Sequence, residues 1–197
     1  MILVNKPNHG EITDMALMES KELPVGEEAP FFNLPDTEGN LINIKDIQGE
    51  NGIFVAFICN HCPYVKHMAD SLSVVGQKLK DLKIGVVAIS SNDATNYPDD
   101  SPEKMKEEKK LRGYPFPYLY DESQEVAKSY GAVCTPDLFL FGTDGRLFYH
   151  GQYDDSRPGK GVANGEDLLK AAHILADGGK QLGFQAKPSI GCSIKWK

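Results

Sequence analysis

The stretch of sequence that decides the fold covers residues 53–63 and reads Ile-Phe-Val-Ala-Phe-Ile-Cys-Asn-His-Cys-Pro. Its first six residues, Ile53 to Ile58, are all apolar, which is typical of a strand buried on both faces of a sheet. Pro63 suits the first turn of a helix, because the N–H group that proline lacks is not needed there. The motif Cys-Asn-His-Cys, from Cys59 to Cys62, therefore lies between a buried strand and a helix.

The residues that follow complete a strand–helix–strand unit. Apolar residues spaced three and four apart mark one face of a helix, namely Met68, Leu72, Val75, Leu79 and Leu82. The apolar residues 84–89 then predict a second buried strand. A strand, a helix and a strand in this order form a right-handed crossover between parallel strands.

Further elements surround this unit. Strand–turn–strand patterns predict hairpins within residues 31–44 and 138–153, the second of them antiparallel. Helices are predicted at 101–112, at 124–131 and from Asn164 as the cap to 178. The sequence thus predicts an α/β fold with a mixed central β-sheet sandwiched by helices, an N-terminal hairpin and a C-terminal tail.

Length and charge limit the domain organisation and the partners. With 197 residues, the chain predicts one domain, 25–179, preceded by a loosely attached extension, 1–24, and followed by a tail, 180–197, packed on the domain. Lys and Arg number 21 against 28 Asp and Glu, a net charge of −7. An acidic chain with few arginines is poorly suited to phosphate backbones, so we expect no nucleic-acid partner.

The apolar segments and the cysteines bear on the compartment. No run approaches the roughly 20 apolar residues that span a bilayer, and Ile2-Leu3-Val4 is too short for a signal-peptide core. We therefore expect a cytoplasmic protein with no membrane partner. Four cysteines are too few for a disulfide scaffold in a chain of this length. In a reducing compartment, paired cysteines are more often catalytic or metal-binding than structural.

The predicted position of the Cys-x-x-Cys motif has chemical consequences. The unpaired N–H groups and positive dipole end of a helix stabilise a thiolate, and the pKa of thiols so placed falls from about 8.5 to roughly 3.5–7.5. A second thiol two residues away can attack the mixed disulfide that the first one makes. We expect Cys59, nearer the exposed end, to be the nucleophile and Cys62 to be the resolving thiol.

Other uses of the motif are less consistent with the sequence. A structural zinc site needs two further ligands, commonly a second close pair, whereas Cys134 and Cys192 are single and distant. Covalent haem needs a histidine directly after the second cysteine, and that position is Pro63. Two buried, inert cysteines are the remaining alternative. We expect no metal and no other cofactor.

Several segments carry a family resemblance. They are residues 25–32, the hairpin around Gly39, the cysteine motif after its apolar strand, residues 116–121 and Thr135-Pro136. In these the chain resembles the thioredoxin-fold redoxin group, which includes thiol–disulfide oxidoreductases and peroxiredoxins. Residues 59–66, 154–158 and 188–196 resemble, more narrowly, peroxiredoxin-like proteins with a thioredoxin-type cysteine pair.

The resemblance implies a thioredoxin-like fold and roles for Thr135 and Pro136. Pro136 occupies the position of the cis-proline that faces the cysteine pair in that fold. The backbone of Thr135 would then pair with an extended substrate segment, as in β-strand addition. A proline at the start of a strand is the simpler alternative.

The resemblance also frames three functions. The first is disulfide exchange, with protein or small-molecule disulfides and a thiol reductant as partners. The second is a thiol peroxidase with Cys62 as the peroxidatic residue, although Cys59 then replaces the family's Thr or Ser, Val55 its Pro, and the activating Arg is missing near Pro136. The third is a non-catalytic binding module. For disulfide exchange, Ile53 replaces thioredoxin's buried Asp, which leaves the proton acceptor unassigned.

The remaining candidates modify this site. His61 next to Cys62 would favour a thiolate, so we expect a pair more oxidising than thioredoxin, whose potential is about −270 mV. The alternative is a solvated histidine at the start of the helix with no effect on the pair. Arg157 either stabilises a thiolate or substrate carboxylate, or pairs with neighbouring acids to stiffen its loop. Cys134 and Cys192 are candidate third redox thiols, or buried apolar residues. Cys192 could resolve a disulfide by folding back or across a homodimer.

Overall fold

The computed structural model of the protein describes residues 17–179 and 186–197. Its strands are β1 Leu17–Glu19, β2 Asn33–Pro35, β3 Leu41–Asn43, β4 Ile53–Phe57, β5 Gly85–Ser90, β6 Tyr118–Tyr120, β7 Cys134–Thr135, β8 Asp137–Phe141, β9 Leu147–His150 and β10 Ile190–Ser193. Its helices are α1 Ile44–Ile47, α2 Pro63–Asp81, α3 Pro102–Arg112, α4 Glu125–Ser129 and α5 Glu166–Ala176, with a 3-10 helix at Pro98–Asp100. The predicted extension, 1–24, and tail, 180–197, lie partly outside the described residues.

Five strands form the central sheet in the order β6-β5-β4-β8-β9. Strand β5 is parallel to both β4 and β6, while β8 is antiparallel to β4 and to β9. The predicted strand–helix–strand unit is β4-α2-β5, and the predicted second hairpin is β8-β9. The sheet is therefore mixed, and the predicted α/β fold class is confirmed.

Strand β4 is buried on both faces because its residues serve two cores in alternation. Successive side chains of a strand point to opposite faces. Phe54 belongs to the core cluster that contains Leu72 of α2, whereas Val55 belongs to the cluster that contains Ala127 of α4. Helices thus cover both faces of the sheet, which explains the uninterrupted apolar run at 53–57.

The N-terminus of α2 lies at the cysteine motif, and the N-terminus of α5 differs from the predicted one. Helix α2 begins at Pro63 with Cys62 as its N-cap residue. Of the predicted apolar face, Met68, Leu72, Val75 and Leu79 are buried, whereas Leu82 is the partly buried C-cap residue. The N-cap of α5 is Gly165 rather than the predicted Asn164, whose side chain accepts a hydrogen bond from the Glu166 N–H at 2.9 Å. None of the helices in the described part of the chain is long and apolar enough to cross a membrane.

A second, three-stranded sheet joins residues 17–19 and 190–193 to the domain in the order β1-β10-β7. Both pairings are antiparallel, with Cys192 opposite Leu17 on one side and Thr135 on the other. The sequence predicted an irregular tail and a loosely attached extension, and for residues 17–19 and 190–193 this was wrong. These strands are too short to show a periodic pattern, and their form is fixed by pairing with distant residues.

Candidate active site

Three cysteine sulfurs meet at the start of helix α2. Cys59 follows strand β4, and its sulfur lies 3.2 Å from the hydroxyl of Thr135. The sulfur of Cys62 lies 3.1 Å from the carbonyl oxygen of Thr135 and 3.0 Å from the sulfur of Cys192. Strands β4, β7 and β10 and helix α2 therefore position the group together.

The pKa values of Cys59 and Cys62 are shifted in opposite directions. Hydrogen bonds with Cys192 and Cys59 lower the pKa of Cys62, and the backbone N–H of Val65, in the first turn of α2, lowers it further. Burial raises the pKa of Cys59, and so do its hydrogen bond with Cys62 and the negative charge of Asp100. These shifts favour an anion on Cys62, at the helix N-terminus, over one on Cys59. Ionisation of Cys62 gives up the hydrogen bond that its thiol donates to the Thr135 carbonyl oxygen.

The accessibility of Cys59 differs from the expectation. The sequence predicted a sulfur at the exposed end of the motif, but Cys59 is 1% exposed and Cys62 0% exposed. The difference arises because Thr135 and Cys192, on the paired strands β7 and β10, lie against the two sulfurs. Strand β10 was not predicted, so its position over the pair could not be foreseen.

A buried carboxylate holds the turn between the two cysteines. Asp100, which is 0% exposed, accepts hydrogen bonds from the backbone N–H groups of Asn60 at 2.7 Å and His61 at 3.3 Å. It also contacts the His61 ring nitrogen Nδ1 at 2.5 Å and accepts from the Asn92 side-chain amide at 2.8 Å. The ring of His61 stacks on Tyr97 with centroids 5.5 Å apart.

Asp100 was not predicted as a site residue, although its place in the chain gives one signal for it. Asp100 lies in the loop that follows strand β5, which is parallel to β4. The carboxyl ends of parallel strands meet at one edge of a sheet. Polar residues in the loop after β5 are therefore expected near the cysteine motif, and Asp99 and Asp100 stand out among them.

Cys59, His61 and Asp100 also form the candidate metal-ligand group among the described residues. One ligand atom from each lies within 4.8 Å of the others. However, the Asp100 carboxylate already accepts N–H groups from Asn60, His61 and Asn92. The arrangement therefore suits fixing the turn better than holding a cation.

Three further predicted site residues, Cys134, Thr135 and Pro136, are consecutive in the chain. The peptide bond between Thr135 and Pro136 is cis, as predicted from the resemblance. The sulfur of Cys134 points to the Pro136 carbonyl oxygen at 3.5 Å, and burial raises its pKa. The backbone of Thr135, expected to bind a substrate segment, is paired with β10 of the same chain.

Arg157 lines a shallow groove next to Pro136, and its side chain hydrogen-bonds to residues of its own loop. Its guanidinium donates hydrogen bonds to the backbone carbonyl oxygens of Asp154 at 2.8 Å and Ser156 at 2.6 Å, and to the Gln152 side chain at 2.7 Å. The expected stiffening of the loop is thus present, but through carbonyl oxygens and an amide rather than neighbouring carboxylates.

Comparison with known proteins agrees with this architecture. Residues 25–150 match the model of the AhpC/TSA family. The protein belongs to the AhpC/TSA family. A conserved protein of uncharacterised function from Geobacillus kaustophilus has a crystal structure that is 46% identical, with a TM-score of 0.89 over 93% of this chain and 97% of that one. The redoxin family predicted from the sequence is therefore confirmed.

Two further proteins similar to this AhpC/TSA protein are named for two different thiol chemistries. The thiol-disulfide oxidoreductase ResA of Bacillus thuringiensis is 26% identical over 129 residues, which are 66% of this chain and 70% of ResA. The peroxidoxin BcpB of Mycobacterium tuberculosis is 16% identical, with a TM-score of 0.60 over 79% of this chain and 98% of BcpB. The second likeness is one of fold alone, whereas the family match and the similarity to ResA support an oxidoreductase of the redoxin type.

Proposed function

We propose that the protein is a thiol–disulfide oxidoreductase in which Cys62 attacks a disulfide and Cys59 resolves the product. The observation that carries this proposal is the position of Cys62 as the N-cap residue of α2 with the Cys192 sulfur 3.0 Å away, where hydrogen bonds with Cys192 and Cys59 lower its pKa. This assignment reverses the two roles expected from the sequence. The thiolate, not the thiol, is the nucleophile in disulfide exchange, so the sulfur with the lower pKa attacks.

The exchange proceeds in two balanced steps. The Cys62 thiolate attacks one sulfur of the substrate, which forms a mixed disulfide and releases the other sulfur as a thiolate. Cys59 then loses its proton to the leaving group and attacks the Cys62 sulfur, which forms the Cys59–Cys62 disulfide and frees the second substrate thiol. A thiol reductant restores the pair. The hydroxyl of Thr135, 3.2 Å from the Cys59 sulfur, stabilises Cys59 as it ionises.

The occupied edge of β7 favours small disulfides as substrates. An extended protein segment binds such an edge by main-chain pairing. Here β10 already pairs with β7, with Cys192 opposite Thr135. The two sulfurs of the motif are also buried. We therefore expect glutathione disulfide to be reduced faster than a protein disulfide such as that of insulin.

A single-turnover experiment tests this function. Reduced protein, freed of reductant, is mixed with glutathione disulfide, and free glutathione is counted after an acid quench. We expect two glutathione molecules per protein from the unmodified chain, none from Cys62→Ser and two from the control Cys134→Ser. No release from the unmodified chain would refute the proposal.

Peroxide reduction is the second candidate, because the sulfur with the lowered pKa is Cys62, the one at the peroxidatic position. The Cys62 thiolate would attack one peroxide oxygen, which gives a sulfenic acid and an alcohol or water. Cys59 would then form the disulfide and release water. Consumption of hydrogen peroxide that requires Cys62 and exceeds the rate with glutathione disulfide would favour this function over the first.

A further inference from the structure

The third sulfur of the cluster comes from the tail of the chain. Cys192 is the third residue of strand β10, and its sulfur lies 3.0 Å from that of Cys62. A disulfide bond is about 2.05 Å long, so a shift of about 1 Å would join the two atoms. Cys59, the other cysteine of the Cys-x-x-Cys motif, is near enough to Cys62 to influence its pKa. Two thiols, those of Cys59 and Cys192, are therefore candidates to react with Cys62.

Hydrogen bonds before and after Cys192 hold it in this position. The Ser189 N–H donates to the Ser20 hydroxyl at 2.9 Å, and the Ile194 N–H donates to the Val133 carbonyl oxygen at 2.9 Å. The Lys195 N–H donates to the side-chain oxygen of Asn92, also at 2.9 Å. A thiol fixed in this way reacts as in an intramolecular reaction, which greatly raises its effective concentration.

Gly191 allows the tail to come this close. A Cβ atom at this position would lie 2.0 Å from the Thr135 carbonyl oxygen and 3.0 Å from Pro136 Cδ. Only glycine therefore fits at this position of β10, where the strand lies against Thr135 and Pro136. Gly191 thus allows Cys192, the next residue, to lie close to the cysteine motif.

Cys134 provides a contrast within the same sheet. It is adjacent to Thr135 in β7, but its sulfur is directed to the Pro136 carbonyl oxygen at 3.5 Å. Neighbouring residues of a strand point to opposite faces. Proximity in sequence to the site therefore does not place a cysteine in the cluster, whereas the pairing of β10 with β7 does.

We propose that Cys192 is a redox-active thiol that resolves the mixed disulfide on Cys62 and forms a Cys62–Cys192 disulfide, a step that rests on the proposed function. In this step the Cys192 sulfur attacks Cys62. The bond between Cys62 and the substrate sulfur breaks, and the leaving thiolate takes up the proton that Cys192 loses. The two electrons that reduce the substrate come from Cys62 and Cys192, and an external thiol reductant returns them.

The test uses the full chain and the glutathione-disulfide reaction. In Cys59→Ser, where the first resolving thiol is missing, two glutathione molecules are released per protein. After alkylation of the remaining thiols and digestion without reductant, mass spectrometry finds the peptides of Cys62 and Cys192 joined. In the double variant Cys59→Ser, Cys192→Ser, one glutathione is released and the other stays bound to Cys62. Cys134→Ser, added to Cys59→Ser, changes neither result.

Other outcomes separate this inference from the proposed function. If Cys59→Ser releases one glutathione and Cys192 is fully alkylated, while the unmodified chain releases two, the inference is wrong and the function stands. If the unmodified chain releases none, the function itself fails. A second measurement does not depend on any variant: the unmodified protein, oxidised by glutathione disulfide, contains the Cys62–Cys192 link, and finding only Cys59–Cys62 overturns the proposal.

Discussion

The carboxylate of Asp100 contacts the ring nitrogen Nδ1 of His61 at 2.5 Å, although the two residues are 39 positions apart in the chain. The same carboxylate accepts the backbone N–H groups of Asn60 and His61, so one buried acid fixes both the backbone and a side chain of the turn between the cysteines. Its negative charge also contributes to the raised pKa of Cys59, after burial and the hydrogen bond with Cys62. Asp100 is thus a positioning residue that also raises the pKa of Cys59.

Replacing Asp100 separates these two effects. In Asp100→Asn the side-chain oxygen still accepts N–H groups, but the negative charge is removed. We expect the pKa of Cys59 to fall, so that alkylation of Cys59, followed in a Cys62→Ser background, begins at lower pH. We expect the free energy of unfolding to fall by about 1–3 kcal/mol, because a buried charged partner is lost.

The neighbouring acid provides the control for this change. Asp99 is exposed, whereas Asp100 is buried. Asp99→Asn removes the same charge from the same loop and is expected to leave both the alkylation profile and the unfolding midpoint unchanged. Equal shifts in the two variants would mean that net charge, rather than the contacts of Asp100, controls Cys59.

Much of the fold could be predicted because its signals are local. The apolar run of β4, the spacing of the buried residues of α2 and the proline at its start are properties of contiguous sequence. The cis bond before Pro136 required the family resemblance, since local sequence gives no such preference. Asp100 was missed because its role depends on two loops meeting at one sheet edge.

The tail shows why the rest could not be predicted. Strands β1 and β10 have three and four residues, and each is defined by its partners rather than by its own pattern. The pairing of Cys192 with Thr135 joins residues that are far apart in the chain. Consequently the burial of Cys59, which depends on β7 and β10, could not be predicted from the sequence either.

The hydrogen-bonding thiol of Cys192 is expected to control the acidity of Cys62. Its hydrogen bond is the largest cause of the lowered pKa of Cys62. Cys192→Ala removes the hydrogen-bonding partner of Cys62, so we expect the pKa of Cys62 to rise, whereas Cys192→Ser keeps a hydroxyl that can hydrogen-bond with the Cys62 thiolate, and the pKa stays low. The ultraviolet absorbance of the thiolate, followed against pH, measures this. Cys134→Ala is the control, and identical titrations for Cys192→Ala and Cys192→Ser would contradict the assignment.

Gly191→Ala is expected to detach strand β10 from β7. The added Cβ would lie 2.0 Å from the Thr135 carbonyl oxygen, a backbone atom that cannot rotate away. We expect a loss of about 1–3 kcal/mol in the free energy of unfolding, as for other overpacked sites. Alkylation of Cys59 and Cys62 should become faster, because the strand over them is displaced.

Ser193→Ala provides the comparison for this loss, since it lies on the same strand and adds no atom near the backbone of Thr135. Its unfolding midpoint and alkylation rates should match those of the unmodified chain. If Gly191→Ala keeps both values as well, β10 does not control access to the cysteine pair.

The division of acidity also predicts the reduction potential of the pair. A thiol whose pKa lies below the ambient pH is ionised when reduced, which stabilises the reduced form by about 1.4 kcal/mol, or about 30 mV, for each pKa unit. Cys62 contributes in this way, since its hydrogen bonds with Cys192 and Cys59 lower its pKa. The raised pKa of Cys59 changes little, because an ordinary thiol is also protonated at neutral pH. We therefore expect a potential above about −270 mV, the value of thioredoxin.

Equilibration with glutathione mixtures measures this potential, in a Cys192→Ser background where only the Cys59–Cys62 disulfide can form at the site. His61→Phe tests the contribution of the imidazole, because phenylalanine keeps a ring to stack on Tyr97 but removes the contact with Asp100. We expect its potential to be more negative, while His173→Phe, an exposed position on α5, leaves it unchanged. If the Cys192→Ser variant with both histidines unchanged has a potential at or below about −270 mV, the lowered pKa of Cys62 does not stabilise the reduced pair.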